Sequence, residues 1–338
     1  MPRARPSGAP VIRDRLRAVL TLDDLARYRV LPDPRWESAV ARVFTGLEDR
    51  VGVRHRLVDF LPSSAPVLYA TNATQKYDFL TFRSAMARRG QRVVTVTKAK
   101  NYHVAWMRPV LERTGVIPLA SKGYVLLLDA SRTLGRRLRA EEYRALRDYL
   151  DGRAPQPDLP DCARLFTVPR DLFGVPFAPG EGPLRAVWRR AQQALLGESL
   201  RLARTAVSAG WSVHIYPEGT VSPRLGVGRP GAMQFARALG VPVVPVGMSG
   251  CPEAYRGTSP MPRGAEVTLH FGAAYTPDLS GLGPDFVPFD PDHEDHARPV
   301  LQAATDDLMR RLDALLAPPY QHPPDGVVSG PRDPRRLL

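Results

Sequence analysis

The spacing of hydrophobic positions changes along the chain, and the changes mark out its elements. From Pro34 to Arg50 the apolar residues Val40, Val43, Phe44 and Leu47, with Val51 just beyond, fall at helical spacing behind Asp33 as N-cap and Pro34 at the first helical position, predicting an amphipathic helix. A weaker helical pattern precedes it around Ile12 to Leu20. From Val67 onward, short β-rich runs alternate with helical stretches, the signature of an α/β sheet with parallel components. Strands are predicted at Val67–Ala70, Val93–Thr97, Val116–Leu119, Ser212–Tyr216, Val243–Met248 and Val267–Phe271. Helices are predicted at Asp78–Arg89 before Gly90, at Val104–Arg113 interrupted by Pro109, at Pro183–Ser208, at Pro230–Leu239 before Gly240, and at Pro299–Leu316.

The stretch 123–179 breaks this rhythm with a strand-like apolar run, Val125 to Leu128, a charged helix, Ala140 to Leu150, and a loop through Pro155, Pro157 and Pro160. It reads as an insertion, a candidate lid or specificity element. The Pro- and Arg-rich residues 1–10 and the tail 318–338 are expected to be disordered. The expected layout is therefore N-terminal amphipathic helices over 11–60 and a main domain over 61–317, a mixed central sheet flanked by helices.

Composition narrows the partners. Lys and Arg number 47 against 34 Asp and Glu, a formal charge of +13, which favours an anionic membrane surface, a phosphate-bearing substrate or nucleic acid. No helix-turn-helix, zinc or single-strand-binding pattern accompanies the charge, so nucleic acid is not expected. Cys162 and Cys251 stand far apart, suggesting neither a disulfide framework nor a zinc site and fitting a reducing cytoplasm. No run approaches the roughly 18 apolar residues of a spanning helix, and Met1 to Pro10 lacks the apolar core of a signal peptide. With Arg13, Arg15, Arg17, Arg35, Arg42 and Arg50 on them, the N-terminal helices are open to two readings, packing on their own domain or lying on a membrane surface; the expected location is cytoplasmic, with peripheral attachment to the inner face of the cell membrane under the second. Asp290 to His296 is rich in metal-ligand types, but it lacks a metal spacing and reads as a helix start; no metal is expected there.

Tyr216-Pro217-Glu218-Gly219-Thr220 sits at the end of a predicted strand, with Val241-Pro242-Val243-Val244-Pro245-Val246 about twenty residues on. Together these stretches resemble the signature of the glycerolipid acyltransferases of the lysophosphatidate (1-acylglycerol-3-phosphate) type. The resemblance implies a glycerol-3-phosphate acyltransferase-like fold and, upstream, a His-x4-Asp dyad on a strand-to-helix turn. The matching segment is Asn72-Ala73-Thr74-Gln75-Lys76-Tyr77-Asp78, with Asp78 in place and Ala73 at the position of the family His. In such a dyad the His takes the acceptor's hydroxyl proton and the Asp orients its ring. Ala73 is open to three readings: a deliberate truncation of the base, a natural loss, or replacement by another base. His103 and His214 are the histidines near the motifs, and His214 in its predicted strand reads as a core residue.

The resemblance further implies that Glu218 contacts the acceptor backbone and that Gly219 and Thr220 let the main chain approach its phosphate. Val221 replaces an Arg common in the family while Ser222 is kept, so Arg224 or Arg229 would supply the cation. Gly115 to Ser121 resembles the family's second block, whose phosphate-binding Arg falls here on Ser121, with Lys122 beside it. Lys76, Lys98 and Lys100 are further candidates for phosphate or donor. The implied reaction is transfer of a fatty acyl group from acyl-CoA or acyl carrier protein to a lysophospholipid, glycerol phosphate or related hydroxyl, without a cofactor and impaired by the loss of the His. The alternative is a non-catalytic lipid or acyl-carrier binding protein using the same cleft.

Overall fold

All six predicted strands form, and they join one sheet. The computed structural model describes residues 20–104, 107–257, 259 and 261–323; the helix expected near Ile12, the first ten residues and the tail beyond 323 lie outside these. The strands are β1 (Arg54–Val58), β2 (Leu68–Thr71), β3 (Val93–Lys98), β4 (Val116–Leu119), β7 (Ser212–Ile215), β8 (Val243–Ser249) and β9 (Glu266–Phe271), in the order β1-β9-β8-β2-β7-β3-β4. Strands β8, β2, β7, β3 and β4 run parallel, so their carboxyl ends share one edge; β9 is antiparallel to β8, and β1 is parallel to β9. In open α/β sheets that edge is where ligands bind. The β1 strand is missing from the sequence expectation because Arg54, His55 and Arg56 do not read as a β-rich run; it is an edge strand that pairs with β9 alone.

Alternation along the strands splits the core into two layers. Tyr69, Val93, Val116, Val244 and Val246 face one side, and Leu68, Ala70, Val94, Val96 and Val213 face the other. On the first side lies helix α3 (Asp78–Ala87), burying Phe79, Phe82, Ala85 and Met86. Ahead of it come α1 (Leu22–Ala26) and the amphipathic α2 (Pro34–Val51), which Asp33 caps and Gly52 ends at φ 79°. The opposite side is covered by α9 (Gly231–Leu239) and α11 (Pro291–Leu315), while the 25-residue α8 (Leu184–Ser208) contributes to both layers.

Several local expectations are corrected. Val125 to Leu128 is not extended but lies inside helix α5 (Lys122–Leu134), where Ser121 caps one end and Gly135 closes the other at φ 70°. The run looks strand-like because every residue from Gly123 to Ser131 is buried, which erases the amphipathic period. Helix α4 (Arg108–Arg113) starts later than Val104, with Pro109 in its first turn rather than interrupting it, after a 3-10 turn at Ala99–His103. The last helix starts earlier, at Asp290 as N-cap, and carries Pro299 inside. After α6 (Ala140–Leu150) and α7 (Arg164–Thr167), segment 123–179 ends in a hairpin of β5 (Arg170–Leu172) and β6 (Val175–Phe177). Its Tyr143, Leu146, Cys162, Leu165 and Phe173 enter the same core layer as Tyr69 and Phe82. Residues 318–323, expected within a disordered tail, are held: Tyr320 Oη donates to Glu253 Oε2 at 2.8 Å, and His322 N donates to Asp313 Oδ1 at 2.7 Å.

Candidate active site

The turn from β2 into α3 is pinned at nearly every residue. Asn72 Nδ2 donates to Met248 O at 2.9 Å and its Oδ1 accepts from Met248 N at 2.8 Å, locking the turn onto β8. Ala73 N donates to Glu218 Oε1 at 2.8 Å, and Ala73 O accepts from Ser222 N at 2.8 Å. Asp78 then folds back on the turn: its Oδ2 accepts from Thr74 N at 2.7 Å, Thr74 Oγ1 at 3.3 Å and Gln75 N at 2.8 Å. Asp78 is fully buried, yet its other oxygen, Oδ1, has no hydrogen-bond donor among the described residues. The thiol of Cys251, at the start of α10 (Cys251–Ala254), lies against this carboxyl without a well-formed bond. The Tyr216 hydroxyl, likewise without a well-formed partner, sits near Thr71, Asp78 and Cys251. Burial pushes the Asp78 carboxyl up to about 7, against the pull of the Gln75 and Thr74 N–H groups; burial, then Asp78 itself, raises the Cys251 thiol well above its ordinary range.

Glu218 is 1% exposed, and its carboxylate is spoken for on both sides. Oε1 takes the Ala73 N–H and Oε2 takes the Gly226 N–H at 2.7 Å, so the side chain ties the dyad turn to the loop 219–230. Each oxygen accepts one N–H and keeps a second lone pair, so an acceptor hydroxyl would have to share the carboxylate with these bonds. Burial, opposed by the two N–H groups, pushes this carboxyl up to about 7, with the Asp78 charge adding to the rise. Gly219 holds φ 60°, and a Cβ there would come within 3.3 Å of Arg229 Cδ. Arg229 Nε donates to Glu218 O at 3.1 Å, which brings this cation to the site. Arg224 is turned away instead: its guanidinium donates to Gln321 O at 3.0 Å and Pro318 O at 3.1 Å, serving the C-terminal segment. Thr220 is partly exposed beside the exposed Val221.

Of the second block, Ser121 Oγ caps α5 by accepting from Tyr124 N at 3.3 Å, and Lys122 is neutralised by Glu294 at 2.9 Å and Asp151 at 3.6 Å. Lys122 reads as a phosphate ligand in sequence because Glu294 lies 172 residues away and only the fold brings it there. The positive charge at this edge comes from β3. Lys98, its last residue, lines with Lys100, Ser121 and Tyr124 a shallow dent too small for a ligand of its own. Burial, with the nearby Lys100 and Arg229 charges, draws the Lys98 ammonium down to about 8. Lys76, within the turn, lies 5.3 Å from the Tyr77 ring centroid, and burial lowers its pKa. His214 is a core residue as read: fully buried, 2.8 Å from Thr71 Oγ1 and 3.3 Å from Thr95 Oγ1, and drawn by burial down to about 3. The two residues missed by sequence reasoning, Cys251 and Tyr216 as neighbours of Asp78, reach it through tertiary contacts that no local pattern announces.

A parallel α/β edge carrying this pinned turn agrees with a match in the sequence: residues 183–249 fit the family model for acyltransferases, a span holding the Glu218 block and the Val241–Val246 run. The match spans 67 of the 338 residues. Among solved structures it is similar to the 1-acyl-sn-glycerophosphate (LPA) acyltransferase PlsC from Thermotoga maritima, at 12% sequence identity and a TM-score of 0.40, over 83% of this chain and 85% of that one. No curated protein sequence matches it.

Proposed function

We propose that the carboxyl edge of the sheet binds a fatty acyl thioester, from acyl-CoA or acyl carrier protein, together with a lysophospholipid, glycerol phosphate or related hydroxyl acceptor, and that acyl transfer between them is impaired because Ala73 supplies no base. The observation that carries this reading is Asp78. It is held rigidly through Oδ2, while Oδ1 is a buried acceptor without a donor among the described residues, five residues after Ala73. An imidazole N–H from position 73 would satisfy such an oxygen and be oriented by it. Lys98, Lys100 and Arg229, gathered at the end of β3 and beside Glu218, are the cations suited to the acceptor's phosphate. In this reading Glu218 acts by positioning the Ala73 turn.

The test is thiol release from palmitoyl-CoA and from loaded acyl carrier protein, over a panel of lysolipid acceptors, for the chain and its Ala73→His variant. General acid-base catalysis contributes roughly 10²- to 10⁴-fold, and a gain of that order is expected in the variant. Silence from both chains, with lysolipid still bound, would favour the second reading: a non-catalytic lipid or acyl-carrier binding protein. That reading rests on Glu218, whose two oxygens are already committed to backbone N–H groups.

The amphipathic α2 adds a peripheral membrane role to the proposal. Trp36 is 54% and Val43 69% exposed on it, beside the exposed Arg35, Arg42 and Arg50. Among the described residues no helix is long and apolar enough to cross a membrane.

A further inference from the structure

Between α2, α3 and α4 runs an open groove. Its walls are mostly apolar, with Val40 and Phe44 from α2, Leu80 from α3, Val93 from β3 and Val110 from α4. The groove follows α3 from Leu80 to Ala87, passes Gln91 and reaches Val93, where β3 begins. It therefore leads toward the amino end of the parallel strands, away from the edge that carries Asp78.

One cation lines it. Arg83 is largely buried, and the exposure it keeps is toward this groove. Among the described residues its guanidinium makes no hydrogen bond or ion pair, and its neighbours act on it only through space. Glu37 lines the same groove and is close enough to affect Arg83 electrostatically, but the two do not form an ion pair. The guanidinium nitrogens are not among the fully buried atoms and stay open to the groove, and the planar fork matches the two oxygens of a carboxylate. Apolar walls around such a fork suit a hydrocarbon chain carrying one anionic end. Loss of solvation lowers the Arg83 pKa, consistent with a charge held away from bulk water.

We propose that this groove binds a free fatty acid, with its carboxylate on Arg83 and its chain along Phe44, Leu80 and Val110. The site is separate from the carboxyl edge and stands whether or not that edge transfers acyl groups.

The experiment is displacement of a fluorescent fatty acid by laurate and by 1-dodecanol, with thermal melting to confirm that each variant folds. Arg83→Met is expected to weaken laurate by about tenfold or more while leaving dodecanol unchanged, and Arg83→Lys to retain part of the laurate affinity. Glu37→Gln, which removes the competing carboxylate, is expected to tighten laurate several-fold. Ala41→Trp, which fills the groove, is expected to abolish binding of both probes. Equal laurate affinity in Arg83→Met would overturn the proposal. So would binding that survives Ala41→Trp, since the chain would then lie elsewhere, the catalytic edge included. If Arg83→Met does not fold, the Glu37→Gln and Ala41→Trp results decide: laurate that is not tightened in the first or not lost in the second overturns the site.

Discussion

Asp78 and Glu218 are buried carboxyls held near neutrality, and this gives the site a pH signature. Their folded pKa values, about 7, lie above the ordinary 3.8 and 4.5, so between about pH 4 and 7 the folded state binds more protons than the unfolded one. Stability from these groups is full below pH 4 and is lost as pH rises to about 7, at roughly 1.4 kcal/mol per pH unit for each. His214, drawn down to about 3, acts in the opposite sense: the stability of its neutral form is present at neutral pH and is lost as pH falls toward 3. Comparing variants isolates the carboxyls. Asp78→Asn, whose amide oxygen can still accept from Thr74 and Gln75, is expected to flatten the decline from pH 4 to 7 in denaturant unfolding; an unchanged slope would mean that Asp78 titrates as an ordinary carboxyl. At this scale the sequence was legible where chemistry is local. Asp78 and His214 stand where the pattern puts them. Arg224 and Lys122 stand already engaged, by Gln321 and Glu294, partners that distant segments supply and no local pattern announces.

Elements were legible where one face is polar and obscure where burial is complete or the strand is charged. The α2 bounds follow from Asp33 and Gly52 in the sequence itself, whereas the wholly buried middle of α5 and the arginine-bearing β1 defeat a reading by period. The junction between β8 and α10 shows a constraint that no periodicity reports. Gly250 sits at φ 90°, and a Cβ there would fall 2.2 Å from the Glu266 carbonyl oxygen of β9. Gly250→Ala is therefore expected to cost about 3 kcal/mol or more in chemical denaturation, by forcing apart β8 and β9 and moving Cys251 against Asp78. A loss below about 1 kcal/mol would mean that the loop relaxes freely.

For the molecule as a whole, the +13 charge and the exposed face of α2 combine into one expectation. Co-sedimentation with vesicles containing anionic lipid should exceed that with neutral vesicles, fall as salt is raised through the physiological range, and drop further in Trp36→Ala and Arg42→Ala. Equal retention on both vesicle types would leave α2 as a structural helix whose inner face lines the Arg83 groove. Segment 123–179 is legible as a departure from the α/β rhythm, but its packing into the main core is a property of the assembled chain. Tyr143, Leu146 and Phe173 meet Tyr69 and Phe82 only once the sheet exists.

The clustering of ammonium groups at the carboxyl edge has a practical side. Among 47 basic side chains the sequence holds four lysines, Lys76, Lys98, Lys100 and Lys122, and each stands at or just beyond the end of β2, β3 or β4. Apart from the chain terminus, an amine-selective reagent therefore has no target elsewhere on the protein. Lys98, nearest to neutrality at about 8, stands to react earliest under mildly alkaline conditions. Residue-specific labelling is thereby confined by the chain's own usage of arginine over lysine to the rim where substrates would enter, and a dye or cross-linker placed there would report occupancy without any engineered handle.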